Sequence, residues 1–131
     1  MDDQKVLISL IVRNKDTILV GKYDGFDMLP TGLLNTDTDT NEIIDKGIFQ
    51  DIGIKLKNVR KFTFARYDSK NHGKGTVMLL YVAAYDSGEI KDNNKWSWIN
   101  PSEINIETEE IKKVISQYTQ TMSLLKNVKV D

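Results

Sequence analysis

From Leu29 to Ile54 the chain reads LPTGLLNTDTDTNEIIDKGIFQDIGI, and the rest of the fold is organised around this stretch. Pro30, Thr31 and Gly32 punctuate a loop. Asn35 to Thr40 is a run of short polar side chains, which favour turns and caps over helix interiors. A helix is predicted from about Thr40 to Ile52. Asp39, with Glu42 three residues later, resembles a capping box, and Gly53 sits where a left-handed C-cap is expected. Turn and cap chemistry alone accounts for Pro30, Gly32 and Gly53, whether or not anything binds.

Working outward, Val6 to Val12 (VLISLIV) reads as a strand buried on both faces, and Ile18 to Val20 as the second arm of a hairpin. After the helix, Val59 to Tyr67 alternates as a half-buried strand, with Phe62, Phe64 and Arg66 on one face. Thr76 to Tyr85 is strongly apolar and reads as central. Asp68 to Gly75 and Gly88 to Lys95 are polar loops, and Trp96 to Ile99 is a short strand. Pro101 to Glu103 turns into a C-terminal helix, roughly Thr108 to Lys126. Its apolar stripe is Ile111, Val114, Ile115, Tyr118, Met122 and Leu125, at helical spacing. No repeat or linker divides the chain. The expectation is one α+β domain over residues 1–131.

Composition narrows the chemistry. The 131 residues carry 18 Lys and Arg against 19 Asp and Glu, a net charge of −1. There is no overall basic field for nucleic acid, although a phosphorylated small molecule needs only a local patch. Cys is absent and His72 is the single histidine, which excludes thiolate metal sites, a Cys nucleophile and multi-His zinc. The longest apolar run falls far short of the ~18–20 residues of a membrane span. The acidic opening Met-Asp-Asp-Gln-Lys does not start like a secretory signal, so the expected location is the cytoplasm.

The stretch 29–54 resembles the Nudix box, G-x5-E-x7-R-E-U-x-E-E-x-G-U with U aliphatic. With the first Gly on Gly32, every later position falls without an insertion. Thr38 stands for the first Glu, Lys46 for the Arg, Gly47 for the next Glu, and Gln50 and Asp51 for the paired Glu. Ile48, Gly53 and Ile54 match. Leu29 to Gly32 looks like the family's L-P-G-G entry, and Trp98 fits its Trp segment before the last helix. The resemblance implies an α/β/α sandwich with a mixed sheet, the box helix and a C-terminal helix. It also implies a nucleotide or nucleoside diphosphate derivative as ligand, Mg²⁺ (or Mn²⁺) as cofactor in active members, and often a homodimer.

Diphosphate hydrolysis of this type uses a divalent metal to offset phosphate charge and activate water, and Mg²⁺ takes hard oxygen ligands. Family members supply these from carboxylates at i, i+3 and i+4 of the box helix, which share a face. Here those positions are Gly47, Gln50 and Asp51. Asp51 alone is a carboxylate and is the candidate metal ligand, Gln50 offers a neutral carbonyl, and Gly47 offers nothing. On a regular helix Glu42 points opposite Asp51, and Asp45 about 120° from it. Lys46 keeps the charge of Arg but not its bidentate fork, and is read as a solvated helix residue.

Other candidates lie in loops. His72 is a candidate proton donor or phosphate contact, with an ordinary exposed loop histidine as the bland alternative. Gly73 to Thr76 superficially resembles a P-loop but lacks both the Ser/Thr after Lys74 and the earlier Gly. Glu89 is a candidate replacement acid. Trp98 and Phe26 are candidate stacking surfaces for a base, against core or rim packing. Two readings follow: a metal-dependent pyrophosphohydrolase in which loop acids replace the missing Glu, or a Nudix-fold binding or regulatory module in which hydrolysis is weak or lost. The residues favour the second.

Overall fold

A computed structural model of the chain describes residues 6–23, 25–34, 39–66, 76–106 and 108–127. Leu7 to Val12 are all buried in β1 (Val6–Asn14). A strand this apolar on both faces belongs in the middle of a sheet, covered by layers on either side. β1 lies parallel to β6 (Val77–Gly88) over Val6–Arg13. Its other edge is divided between two partners. Arg13 and Asn14 form the hairpin with β2 (Thr17–Tyr23), while Leu7 to Ser9 pair with β4 (Thr31–Leu33). Between them the Leu10 N–H donates to the Pro30 carbonyl at 3.1 Å.

The sheet has seven strands in the order β3-β2-β1-β6-β5, with β4 on β1 and β7 on β2. β3 is Phe26–Met28, β5 is Ile54–Arg66 and β7 is Trp96–Ile99. One parallel pair among antiparallel ones makes the sheet mixed, as expected. Strand alternation sends Leu7 and Ile11 to one face, where α3 (Glu109–Asn127) buries Ile111, Val114, Ile115 and Tyr118. Met122 packs partly against this cluster, and the Leu125 side chain lies outside the described part of the structure. Ile8, Leu10 and Val12 go to the other face, under the helical segment 40–52. The result is the expected α/β/α sandwich. No helix among the described residues is long and apolar enough to cross a membrane.

The helical segment departs from the regular helix that the sequence suggested. It begins as α1 (Thr40–Glu42), widens into a π-helix over Ile43–Ile48, and ends as α2 (Phe49–Ile52). Its apolar spacing supplies a reason. Ile43 and Ile44 are repeated five residues later by Ile48 and Phe49, and all four are buried. In an α-helix, residues five apart stand about 140° from each other. An i→i+5 turn brings both pairs onto the sheet, and the Phe49 N–H donates to the Ile44 carbonyl in that pattern. A wider turn advances less per residue, so the regular-helix reckoning that set Glu42 opposite position 51 does not hold here.

Other expectations are refined. Gly53 is the C-cap as expected, at φ 100°, with its N–H on the Phe49 carbonyl at 2.9 Å. Asp39 takes the N-cap position, but its side chain makes no capping hydrogen bond, so the capping box is not formed. Thr38 lies outside the described residues. Gly32 is not a loop residue; it pairs with Ile8 inside β4. An added Cβ there would stand 3.1 Å from Ile48 and 3.2 Å from Ile43, so glycine lets the helix approach the strand. Gly32→Val is expected to destabilise by about 1–3 kcal/mol through overpacking, read from denaturant unfolding.

β5 starts earlier than predicted, and register shifts along its pairing with β6 break the alternation. Ala65 therefore faces the core while Phe64 is 72% exposed, and Phe62 meets Tyr118 edge to face at 5.7 Å. Phe62 is thereby separated from Phe64 and Arg66, with which it was expected to share a face.

Candidate functional site

The C-terminal end of the segment 40–52 is joined to the loop after β6. The last carbonyls of a helix lack partners within it. Here the Lys91 N–H donates to the Ile52 carbonyl at 2.9 Å, and Lys91 Nζ reaches the Gln50 carbonyl at 3.3 Å. Gly53 and Gly88 make the approach possible, both with positive φ. A Cβ on Gly53 would fall 2.6 Å from the Glu89 carbonyl, and one on Gly88 would fall 2.5 Å from the Gly53 carbonyl. Two backbones thus cross at a point only glycine tolerates.

Beside this crossing lies a cleft of about 320 Å³, lined by Asn14, Tyr85, Glu89, Asn93 and Trp98 among others. Tyr85 and Trp98 meet there edge to face, with ring centroids 5.7 Å apart. The Tyr85 hydroxyl donates to the Gly88 carbonyl at 2.6 Å, which fixes that ring against the loop. Asn14, Asn93 and Glu89 add two amides and a carboxylate to the lining. The cleft is therefore suited to a flat, polar-edged ring.

Of the sequence-predicted residues, Glu89 and Trp98 are brought together in this cleft. Gln50 is exposed on α2 and Lys46 is exposed on the π-helical turn. Asp51 belongs to α2 and Gly47 to the π-helical turn, while the Asp51 side chain lies outside the described part of the structure. His72 lies outside the described residues altogether. Phe26 is not drawn in; it sits in the β2–β3 hairpin, opposite Tyr23, 37% exposed.

A resident dication fits poorly. Among the described residues no group of three His, Cys, Asp or Glu side chains is placed to hold one. Gly47 brings no ligand and Gln50 only a neutral oxygen, so the box positions lack the hard anionic set that Mg²⁺ requires.

Sequence reasoning missed Tyr85 and Asn14 as cleft residues. Tyr85 closes an apolar run and reads as strand core, yet strand alternation sets it on the same face as Trp98. It also missed Asp27, 3% exposed, whose carboxylate accepts from Lys22 Nζ and from the Asn105 N–H at 2.8 Å. A lone acid beside Phe26 gave no signal of burial.

Comparison with known proteins is decided by shape. No family sequence model matches the chain, and no curated protein matches it by sequence. Solved structures do. A Nudix hydrolase from Nitrosomonas europaea superposes with a TM-score of 0.72 at 12% identity, covering 91% of this chain and 90% of that one. The chain has the Nudix fold. The Nudix domain of Shewanella oneidensis NrtR, solved with ADP ribose, matches at TM-score 0.67 and 12% identity, over 93% of this chain and 90% of that one. A MutT Nudix hydrolase from Burkholderia pseudomallei follows at 0.64 and 12%, over 88% and 98%. Within this fold Gly32 lies in β4, residues 40–52 form the helical turns, and Ile54 begins β5. Fold alone does not carry the chemistry.

Proposed function

We propose that this Nudix-fold protein binds a nucleoside diphosphate derivative in the Tyr85–Trp98 cleft and hydrolyses it weakly or not at all. The observation that carries the reading is the cleft itself, where two aromatic rings and the amides of Asn14 and Asn93 converge beside the end of the helical segment. A base can stack on Trp98 and hydrogen-bond its edge to the amides. The ADP ribose in the Shewanella domain supports the ligand class. The box residues support the loss of turnover: Gly47 and Gln50 stand where carboxylates are needed. Losing even one well-placed catalytic interaction costs on the order of 10²–10³ in rate.

The test is a panel of nucleoside diphosphate derivatives and triphosphates, with Mg²⁺, with Mn²⁺ and with chelator. Calorimetry reads binding, and released phosphate or nucleotide reads turnover. Binding of one ligand without metal, at unchanged substrate concentration, is expected. Trp98→Ala is expected to weaken that binding about tenfold or more, since stacking contributes roughly 1–3 kcal/mol per base. Metal-dependent turnover lost in Asp51→Ala or Glu89→Gln would replace this reading with a hydrolase that uses loop acids.

A further inference from the structure

The opposite face of the sheet holds a second cavity, of about 310 Å³, under the N-terminal hairpin and against α3. We infer that it is a binding site for a small organic oxyanion, a carboxylate or a phosphate monoester, carried on an apolar body. Arg13 follows Leu7 and Ile11 at strand period and so points to the α3 face, where it lines the cavity. Its Nε is buried with no hydrogen-bond partner among the described residues. Buried N–H donors are almost always paired, so an orphan on a residue that lines a cavity marks a place for an acceptor.

A guanidinium edge takes two oxygens of a carboxylate or phosphate in parallel, which fixes the charge class of that acceptor. Lys15 also lines the cavity, and so does Asp16, which already has an interaction partner. Ile18, Pro101, Tyr118 and Met122 give the cavity its apolar surface, and Asn100, Ser102 and Thr119 add uncharged polar groups. Such a lining suits a ring or short chain that carries one charged end. The site faces away from the Tyr85–Trp98 cleft, and the inference does not rest on the ligand proposed for that cleft.

The probes are benzoate, phenyl phosphate and uncharged benzyl alcohol, titrated into the full chain and followed by NMR at the Arg13 Nε–H and the Met122 methyl. At least one anion is expected to move both signals and to bind at least tenfold more tightly than benzyl alcohol. Whichever anion binds better identifies the head group. Arg13→Gln is expected to remove that tenfold preference, and Thr119→Phe, which fills the cavity from α3, to abolish binding with Arg13 intact. Should Arg13→Gln fail to fold, the mapping on the unaltered chain and Thr119→Phe decide. Equal binding of benzyl alcohol, shifts confined to other residues, or full affinity in Thr119→Phe would overturn the site.

Discussion

Gly53→Ala is expected to lower the stability of the protein by about 3 kcal/mol, a loss that Gly88→Ala, whose Cβ would fall 2.5 Å from the Gly53 carbonyl, should match. Two penalties combine. A non-glycine residue in the left-handed region costs roughly 1–2 kcal/mol. The new Cβ would also meet the Glu89 carbonyl at 2.6 Å, a backbone atom that cannot rotate away, and overpacking of that kind adds about 1–3 kcal/mol. Gly25 is the internal control. It too has positive φ, at 83°, but nothing lies within 4 Å of its missing Cβ. Gly25→Ala should therefore lose only about 1 kcal/mol, the conformational part alone. Parallel urea titrations read the difference, and equal losses at the two sites would show that the crossing of Gly53 with the 88–91 loop is looser than described.

The Lys22–Asp27 pair should give the next largest effect, and in an order that ordinary surface pairs do not show. Asp27 is almost wholly buried while 61% of the Lys22 side chain is exposed. Lys22→Met leaves a buried carboxylate with the Asn105 N–H as its remaining partner among those described, and is expected to cost about 2 kcal/mol, below the 3–5 of a fully buried pair because water reaches the lysine side. Asp27→Asn keeps an acceptor for that N–H and discards the charge, so about 1 kcal/mol is expected. The double variant should lose less than the two singles together, a coupling that a double-mutant cycle measures directly. Additive losses would show that the ion pair contributes nothing beyond its separate parts.

Much of this molecule was legible because its signals are strong and local. An unbroken apolar β1 must be central. Gly53 after a helical pattern must cap it. The stripe on α3 fits a single period. The place of the helical segment 40–52 is legible but its shape is not, since the five-residue repeat of Ile43-Ile44 in Ile48-Phe49 does not fit a period of 3.6. That signal is present in the sequence and only needs the wider turn to be considered. β5 misled for a different reason. Its register shifts arise from pairing with β6, a long-range fact that no alternation pattern within residues 54–66 carries.

The candidate site was half legible. Trp98 and Glu89 stood out by residue type and by their place in the Nudix-like order, and the fold brings them to one cleft. Phe26 had the same residue-type argument and lies elsewhere, because a hairpin edge exposes an aromatic as readily as a binding site does. Tyr85 was hidden by its neighbours, an apolar strand in which one more ring looks like core. Arg13 was hidden by a turn, since a basic residue at a hairpin end ordinarily points to water.

Arg13 and Asn14 are neighbours in the chain, yet the pleat of β1 turns one toward the cavity under α3 and the other toward the cleft beside Trp98. A single peptide unit is the partition between two chambers. Guests in both would lean on the same strand end, and if either alters the other's affinity, thermodynamic reciprocity makes the factor the same in both directions. Measuring the benzoate titration with and without whichever nucleoside diphosphate derivative the panel shows to bind would show whether that partition is stiff or yields.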